Sequence, residues 1–172
     1  MILVSINFKG LGGGPKKCAL HRCFECVWSN ILLIQETMLC GERAREIMSN
    51  LFPGWNMSSI DFVDLSGGLF SAWNPQVVKF NAYLSCSGII FDDITQGISQ
   101  NFQIFKCYGP YQNRRIFWDG IIQSAILEEP RLISARDLNF IVSTREIWGA
   151  RAQLDPLVAL IFSFGCVKEA LR

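Results

Sequence analysis

Residues 31–37 are Ile31-Leu32-Leu33-Ile34-Gln35-Glu36-Thr37, in which four apolar residues precede three polar ones. A short uninterrupted apolar run of this kind is typical of a strand that is buried on both faces. Upstream, residues 2–6 are rich in β-forming side chains and end at Asn7, and residues 16–28 have apolar side chains at helical spacing after Pro15. Proline suits the first turn of a helix. This order predicts a β-α-β unit whose two parallel strands are joined by a right-handed crossover.

The middle of the chain changes character and is dominated by short β-type runs. A short helix is predicted over residues 41–50, before Pro53-Gly54. Turn signals then separate five β-type runs, which predict an antiparallel meander. The runs are residues 60–63, 69–73, 77–84, 87–91 and 102–107.

The last third of the chain predicts further helices around a short strand region. Residues 113–127 predict an amphipathic helix, and residues 131–135 and 139–142 predict strands that bracket Asp137. A final apolar helix is predicted over residues 155–171. The apolar face of the 113–127 helix is predicted to contain Ile116, Phe117, Ile121, Ala125 and Ile126. Together these signals predict an α/β fold, a layered α/β sandwich with mixed β-sheets inside and helices outside.

Length and composition predict one globular domain. The chain has 172 residues, 50% of them hydrophobic and 18% charged, with a net charge of +1. This composition can form a substantial core and excludes a disordered chain. It also lacks the strong basic excess of a dedicated nucleic-acid binder, so local clusters would have to hold nucleic acid. The candidates are Lys9, Lys16, Lys17 and the pair Arg114-Arg115.

Cysteine usage and the N-terminal residues favour an intracellular protein, nuclear or cytoplasmic, rather than a secreted one. The seven cysteines are odd in number, and residues 1–4 lack the basic region of a signal peptide. Free cysteines suit a reducing compartment. The apolar run at 157–164 is too short to span a bilayer, so no membrane partner is expected.

Three predicted strands end in a carboxylate or a carboxamide, and these ends suggest phosphodiester chemistry. Glu36 follows the second strand and is the candidate Mg²⁺ ligand, since this ion takes oxygen ligands and needs only one or two carboxylates. Asn7 is a candidate to orient a phosphate or a water on the metal. Asp137 is the candidate base with Asn139 beside it, and Tyr108 is a candidate donor to a phosphate oxygen. We expect all five to cluster at one end of the sheets.

Ordinary structural roles are the alternative for each of these residues. A carboxylate after a strand is commonly a solvated loop residue or a helix cap, which would account for Glu36. Asn7, before a glycine-rich loop, would be a turn residue, and Tyr108 would simply contribute to packing. Asp137 beside Arg136 would form a surface ion pair of little energetic value. Only the combination favours a catalytic site.

Two other motifs are considered and rejected. The glycine-rich stretch 10–17 resembles a phosphate-binding loop but lacks the Gly-Lys-Ser/Thr ending, and Pro15 removes a backbone donor. Cys18, His21, Cys23 and Cys26 resemble a zinc cluster, yet all four fall within one predicted helix. Structural zinc usually takes ligands from two elements, so burial as small apolar side chains is the default for these cysteines.

Taken together, the motifs resemble the endonuclease/exonuclease/phosphatase (DNase I-like) superfamily. The strongest similarity is to the endonuclease domain of plant LINE-type non-LTR retrotransposons. Those domains have, in this order, Ser-Trp-Asn-x-x-Gly-Leu-Gly, Gln-Glu-Thr-Lys, Ser-Gly-Gly-Leu followed by Trp, Tyr-Gly-Pro, and Gly-Gly-Asp-Phe-Asn. The matching segments here are Ser5-Ile6-Asn7-Phe8-Lys9-Gly10-Leu11-Gly12, Gln35-Glu36-Thr37-Met38, Ser66-Gly67-Gly68-Leu69 with Trp73, Tyr108-Gly109-Pro110, and Ala135-Arg136-Asp137-Leu138-Asn139.

The resemblance implies a metal-dependent DNA endonuclease. By it, Mg²⁺ would be bound through Glu36 with help from Asn7. Asp137 and Asn139 would act at the attacking water and the phosphate, with Tyr108 near the phosphate. DNA would be the partner, and an ancestral reverse transcriptase would have been fused downstream of this domain.

Departures from the family pattern lower the expected activity. Ile6 replaces a tryptophan and Arg136 a glycine, and no segment matches the family's C-terminal Ser-Asp-His ending. His21, in the first predicted helix, cannot substitute for the missing histidine.

We therefore expect a truncated domain at residues 1–150 with an incomplete second half. A divergent C-terminal helix at 151–172 would stand in place of the missing end, and activity would be weak or absent. A non-catalytic remnant or binding module is one alternative, and a phosphatase of a small phosphorylated molecule is another. An unpaired sheet edge would make the isolated chain aggregate or need a partner.

Overall fold

Two four-stranded sheets form the framework of the computed structural model. It describes residues 1–63, 66–85, 88–93, 102–110 and 112–139, of which 62, 63, 66 and 93 are described as backbone alone. The strands are β1 Leu3–Asn7, β2 Ile31–Gln35, β3 Asn56–Val63, β4 Ser66–Trp73, β5 Phe80–Ser85, β6 Gly88–Asp93, β7 Gln103–Tyr108 and β8 Leu132–Asp137. The helices are α1 Gly14–Val27, α2 Gly41–Leu51 and α3 Arg114–Gln123, with a 3-10 turn at Ile126–Glu128.

The predicted β-α-β unit is confirmed. Strands β1 and β2 are parallel, are connected through α1, and pair in a register that sets Asn7 opposite Gln35. Every residue of β2 is buried, as its apolar run predicts. The register therefore places Glu36 one residue beyond the partner of Asn7, at the same end of the sheet.

Both sheets are mixed, which confirms the predicted layered sandwich. The first sheet, sheet A, has the order β1-β2-β4-β3, and the second, sheet B, has the order β5-β6-β7-β8. In sheet B the last two strands are parallel, with Tyr108 opposite Asp137. In each sheet, a parallel pair of strands therefore ends at a residue that the sequence predicts for the site, Asn7 in sheet A and Asp137 in sheet B.

The predicted single meander is wrong, because its strands are divided between the two sheets. Strands β3 and β4 form a hairpin in sheet A, where β4 also pairs with β2. Only β5, β6 and β7 form a meander, in sheet B. β2 lies in the middle of its sheet and needs a partner on each edge, and β4 occupies the edge that β1 leaves open.

Apolar side chains form three clusters, one on the outer face of each sheet and one between the sheets. Side chains of α1 and α2 pack on the outer face of sheet A, including Leu20 and Met48. The two sheets pack face to face around residues such as Trp73 and Ile104. Phe117 of α3 packs on the outer face of sheet B. The order is thus helices, sheet, sheet, helix, the arrangement that buries both faces of each sheet.

The third helix is shorter than predicted and has a different apolar face. It ends at Gln123, and Ala125 has a left-handed φ of 51°. Phe117 and Ile121 are buried as predicted, but Ile116 is 72% exposed. The break at Ala125 separates Ile126 from the helix, although this side chain is still buried.

Several other predicted boundaries shift, and some fall on residues that are not described. Strand β5 begins at Phe80 rather than at residue 77, because the backbone N–H groups of Val77 and Val78 donate to the Asn74 carbonyl in a turn. Strand β8 includes Asp137 instead of ending before it. The helix at 155–171, the 151–172 segment and all but the first residue of the 139–142 strand lie outside the described residues. No helix in the described part of the chain is long and apolar enough to cross a bilayer.

Candidate active site

One carboxamide joins two carboxylates from different sheets. The Asn7 Nδ2 donates to Glu36 Oε1 at 3.1 Å and also to Asp137 Oδ2. Asn7 ends β1 and Glu36 follows β2 in sheet A, whereas Asp137 ends β8 in sheet B. The structure therefore brings together, at one edge of the sandwich, the three strand ends that the sequence singled out.

Backbone hydrogen bonds to neighbouring segments fix the main-chain conformation of Glu36. Its side chain is only 6% exposed, and its φ of 52° lies in the left-handed region. Its carbonyl accepts from the Gly10 N–H at 2.7 Å, and the next residue, Thr37, donates its N–H to the Gly68 carbonyl at 3.2 Å. A left-handed conformation costs a non-glycine residue about 1 kcal/mol or more, and such strain persists where surrounding contacts impose it. The carboxylate is thus fixed rather than free to rotate with a surface loop.

Asn7 acts as a hydrogen-bond bridge in this arrangement. Its Oδ1 accepts the backbone N–H of Lys9 at 3.1 Å, which turns its Nδ2 toward the two carboxylates. The resemblance implies that Asn7 helps Glu36 to bind Mg²⁺, and this stays a prediction. In the structure the Nδ2 of Asn7, and not its Oδ1, faces the two carboxylates. As placed, the side chain is oriented to donate to an anionic oxygen.

Tyr108 and Asn139 lie next to Asp137 but are engaged differently. Tyr108 is the register partner of Asp137, and a Cβ added at Gly67 would lie 3.7 Å from its Cδ1 atom. Asn139 lies two residues beyond the end of β8 and has a left-handed φ of 49°. Its backbone N–H donates to Asp137 Oδ1 at 3.1 Å, and its Nδ2 donates to the Gly109 carbonyl at 2.7 Å. Its carboxamide nitrogen therefore binds the loop that follows β7.

The two carboxylates fit a hard divalent cation. Within the described ranges, neither Glu36 nor Asp137 forms an ion pair, and no group of three or more acidic, histidine or cysteine side chains converges. Two carboxylate groups supply the oxygen ligands that Mg²⁺ prefers, and Mg²⁺ commonly keeps several of its waters. The donor set therefore fits Mg²⁺ bound through few protein ligands.

The rejected motifs have structural roles. The Lys16 Nζ donates to the carbonyls of Phe8 at 3.0 Å and of Lys9 at 2.7 Å, so this lysine closes the β1–α1 loop. The four zinc-like residues all lie on α1, and His21 contacts Glu25 at 3.4 Å. The expectation that these cysteines are buried is wrong for Cys18 and Cys26, which are exposed, because they face away from sheet A.

The predicted basic pair does not act as a pair. Arg115 has an 85% exposed side chain beside Asp119, at 3.8 Å. Arg114, in contrast, donates to backbone carbonyls next to the site, including that of Pro110 at 3.1 Å. Sequence reasoning missed this role because the carbonyls that Arg114 contacts come from two distant loops.

A buried lysine between the sheets was also missed. Lys106 is completely buried and donates from Nζ to the Phe70 carbonyl and, at 3.1 Å, to Ser71 Oγ. It thereby ties β7 of sheet B to β4 of sheet A. Burial lowers the pKa of Lys106 well below its usual value, because the charged form loses its hydration. Side chains alternate between the two faces of the sheet along β7, so the sequence indicates that Lys106 faces sheet A. The sequence does not indicate that a lysine at this position would be buried.

Comparison with known proteins supports the fold. No family model and no curated protein matches this sequence. Among solved structures, the catalytic domain of human Nocturnin with bound sulfate aligns with a TM-score of 0.62 and 14% identity, over 81% of this chain and 64% of its own. The AP endonuclease LMAP from Leishmania major aligns with a TM-score of 0.62 and 16% identity, over 84% of this chain and 57% of its own. The 3′ phosphatase NExo from Neisseria, bound to a product DNA hairpin, aligns with a TM-score of 0.55 and 13% identity, over 91% of this chain and 66% of its own.

These similarities show that the chain has the DNase I-like endonuclease/exonuclease/phosphatase fold. The chain spans roughly three fifths to two thirds of each of those structures, as the covered shares of 64%, 57% and 66% show. Identities this low support the architecture alone, so the chemistry must be argued from the residues of the site.

Proposed function

We propose that this protein is a phosphodiester hydrolase of the DNase I-like type that nicks DNA with Mg²⁺, and that its activity is weak. The observation that carries the proposal is the Asn7 side chain, which joins Glu36 of sheet A and Asp137 of sheet B. Two carboxylates and one amide donor at the meeting edge of two sheets can bind a divalent ion, activate a water and contact a phosphate, which are roles that metal-dependent phosphodiester hydrolysis uses.

Each residue has a role that its contacts support. Glu36 would hold the divalent ion, which when bound neutralises charge on the phosphate in the transition state. Asp137 would take the proton of the attacking water, since both of its oxygens are oriented by hydrogen bonds, from the Asn7 Nδ2 and the Asn139 N–H. Asn7 would donate to a phosphate oxygen once the substrate enters, and Tyr108 would contribute from the adjacent strand.

We propose weak activity because no imidazole of this chain lies at the site. The single histidine of the sequence, His21, lies on α1 and contacts Glu25. Loss of one general acid or base commonly lowers a rate by about 10²–10⁴-fold. The site would then depend on the metal and on Asp137 for nearly all of its rate enhancement.

DNA is the proposed substrate, and a retroelement endonuclease is the proposed ancestor. LMAP is an AP endonuclease, and NExo was solved with a DNA hairpin. The order of the five motifs, from Ser5-Ile6-Asn7 to Asp137-Leu138-Asn139, supports descent from the endonuclease domain of a plant LINE-type retrotransposon.

A phosphatase acting on a small molecule is the second candidate, and it would need a cavity that encloses its substrate at the site. One cavity in the described part of the chain has a volume of about 190 Å³, and Asn7, Glu36 and Asp137 are not among its lining residues. It is lined by Arg45, Met57, Ser58, Ser59, Phe70 and Leu84. The known cavity therefore gives the phosphatase no support, whereas a polymer substrate needs no enclosing cavity.

Nicking of supercoiled plasmid in the presence of Mg²⁺ or Mn²⁺ tests the proposal. We expect slow conversion to open circles that Glu36→Gln and Asp137→Asn each abolish. Glu42→Gln, which changes an exposed carboxylate in the first turn of α2, is the matched control and should leave the rate unchanged. A 3′-phosphorylated oligonucleotide and an inositol phosphate are the comparison substrates.

The outcomes separate the candidate functions. Cleavage that survives Glu36→Gln would exclude the proposed site, and faster release of phosphate from the inositol phosphate would favour the small-molecule phosphatase. Plasmid binding without any cleavage in either metal would favour the non-catalytic binding module.

A further inference from the structure

Arg114 connects the two loops that leave the site from sheet B. It is the first residue of α3 and is partly buried. Its Nε donates to the Pro110 carbonyl at 3.1 Å, and its Nη2 donates to the Leu138 carbonyl at 3.3 Å and to the Asn139 carbonyl. One guanidinium therefore binds the Pro110 carbonyl and two adjacent carbonyls, of Leu138 and Asn139, which lie more than 20 residues further along the chain.

These loops carry the catalytic side of sheet B. The first follows Tyr108 at the end of β7, and the second follows Asp137 at the end of β8. The Gly109 N–H donates to the Asp137 carbonyl at 2.7 Å, and a Cβ at Gly109 would lie 2.2 Å from the Leu138 carbonyl oxygen. The loops therefore approach as closely as a glycine allows, and Arg114 closes them from the α3 side.

The guanidinium suits this position better than an amine would. It keeps its charge at any physiological pH and presents five N–H donors in a rigid fork, whereas lysine is a compact point charge on a flexible stem. Hydrogen bonds from a charged donor are stronger than neutral ones. A fork can satisfy carbonyls from two loops at the same time.

We propose that Arg114 is a positioning residue that fixes the direction of the Asp137 carboxylate. It holds the carbonyls of Leu138 and Asn139, which keeps Asn139 in its left-handed conformation. In that conformation the Asn139 N–H donates to Asp137 Oδ1, and this contact leaves Oδ2 facing Asn7. Arg114 itself does not touch the reacting atoms. The proposal rests on the proposed function insofar as Asp137 belongs to the metal-dependent site.

The test compares Arg114→Met with three other variants of the full chain. Arg115→Met removes a neighbouring charge that is exposed, and Ile121→Val weakens the packing of the same helix at a buried position. Arg114→Lys keeps the charge without the fork. For each, amide hydrogen exchange at Gly109 and Asn139 is measured by NMR, together with the dissociation constant for Mn²⁺ by electron paramagnetic resonance.

We expect Arg114→Met to speed exchange at Asn139 by about tenfold or more, the factor that loss of a hydrogen bond to a charged group produces. Mn²⁺ binding should weaken by about threefold to tenfold, since the Asp137 carboxylate, which adds a second negative charge beside the ligand Glu36, is then no longer held toward it. Arg114→Lys should resemble Arg114→Met, while Arg115→Met and Ile121→Val should leave both quantities at the wild-type value.

Two results would overturn the inference. One is wild-type exchange and Mn²⁺ affinity in Arg114→Met; the other is equal acceleration at Asn139 in Ile121→Val, which would show general destabilisation of α3. A wild-type protein that binds no Mn²⁺ would refute the metal site of the proposed function, whereas the exchange rates would still decide whether Arg114 orders these loops.

Discussion

Replacing Lys106 with methionine is expected to change how the stability of the protein depends on pH. The lysine side chain lies between the two sheets, with its amine bonded to the Phe70 carbonyl and Ser71 Oγ. Methionine has a similar length, fills the same space and has no ionisable group. Because burial lowers the pKa of Lys106, the folded protein binds this proton less readily than the unfolded chain does.

The sign and size of the effect follow from proton linkage. Above about pH 10.4, the ordinary pKa of lysine, the amine is neutral in both states, and its full contribution to stability is present. As the pH falls from there toward the lowered folded-state pKa, the unfolded chain gains a proton that the folded protein does not. The wild type then loses about 1.4 kcal/mol of unfolding free energy per pH unit relative to the methionine variant.

Hydrogen bonds of the Lys106 amine favour the wild type and so oppose the effect of proton linkage. Loss of the two bonds from Lys106 Nζ should cost the methionine variant about 1–2 kcal/mol where the amine is neutral. The wild type should therefore be the more stable protein near pH 10.5. At lower pH, linkage acts in the other direction by about 1.4 kcal/mol per pH unit until the folded-state pKa is reached, so the stability advantage of the wild type should shrink and then reverse.

Urea unfolding from pH 7.5 to 10.5, followed by tryptophan fluorescence, measures this difference. Trp73 and Trp118 are both buried and report on the inter-sheet core and on the α3 side. Lys79→Met is the matched control, because Lys79 is exposed and its removal should leave the pH dependence unchanged. All other titrating groups are shared by the variants and cancel in the comparison. A difference between wild type and Lys106→Met that stays constant across this range would refute the reasoning.

Two further predictions concern single positions. Gly109→Ala should lower the unfolding free energy by about 2–4 kcal/mol, because its Cβ would lie 2.2 Å from the Leu138 carbonyl oxygen. Gly12→Ala is the control, since a Cβ there meets nothing within 4 Å, and it should change the unfolding free energy by less than about 0.5 kcal/mol. Equal losses of the two variants in urea unfolding would contradict this prediction. Burial raises the pKa of Cys107 to about 12, so iodoacetamide at pH 8 should label the exposed Cys40 and leave Cys107 unmodified until the protein unfolds, as peptide mass spectrometry would show.

The first half of the site could be predicted because it depends on local order. The order is a strand that ends at Asn7, then a helix, then a buried strand that ends before Glu36. This order specifies a parallel pair of strands, and the connection between them has one allowed handedness. The two residues then lie at the same end of adjacent strands, as the register of Asn7 opposite Gln35 shows. Nothing beyond residue 36 is needed for that conclusion.

The second half of the site depends on partners far away in sequence. Asp137 is 130 residues from Asn7, and their contact requires the two sheets to stack with β8 near β2. The motif around Asp137 predicted a strand end but not which sheet it would join. Likewise, the β-type runs in the middle could be predicted as strands, but their division between two sheets could not, because edge pairing depends on which neighbours are available.

Sequence alone determined the alternation of strands and helices, the β-α-β unit and the residue types at the strand ends, because backbone propensity and hydrophobic period act over a few neighbours. Tertiary structure alone decided that Asn7 bridges two carboxylates, that Arg114 joins two loops and that Lys106 is buried between the sheets. Each of these contacts joins segments that only the stacking of the sheets brings together, so their energies have no counterpart in any local window of the sequence.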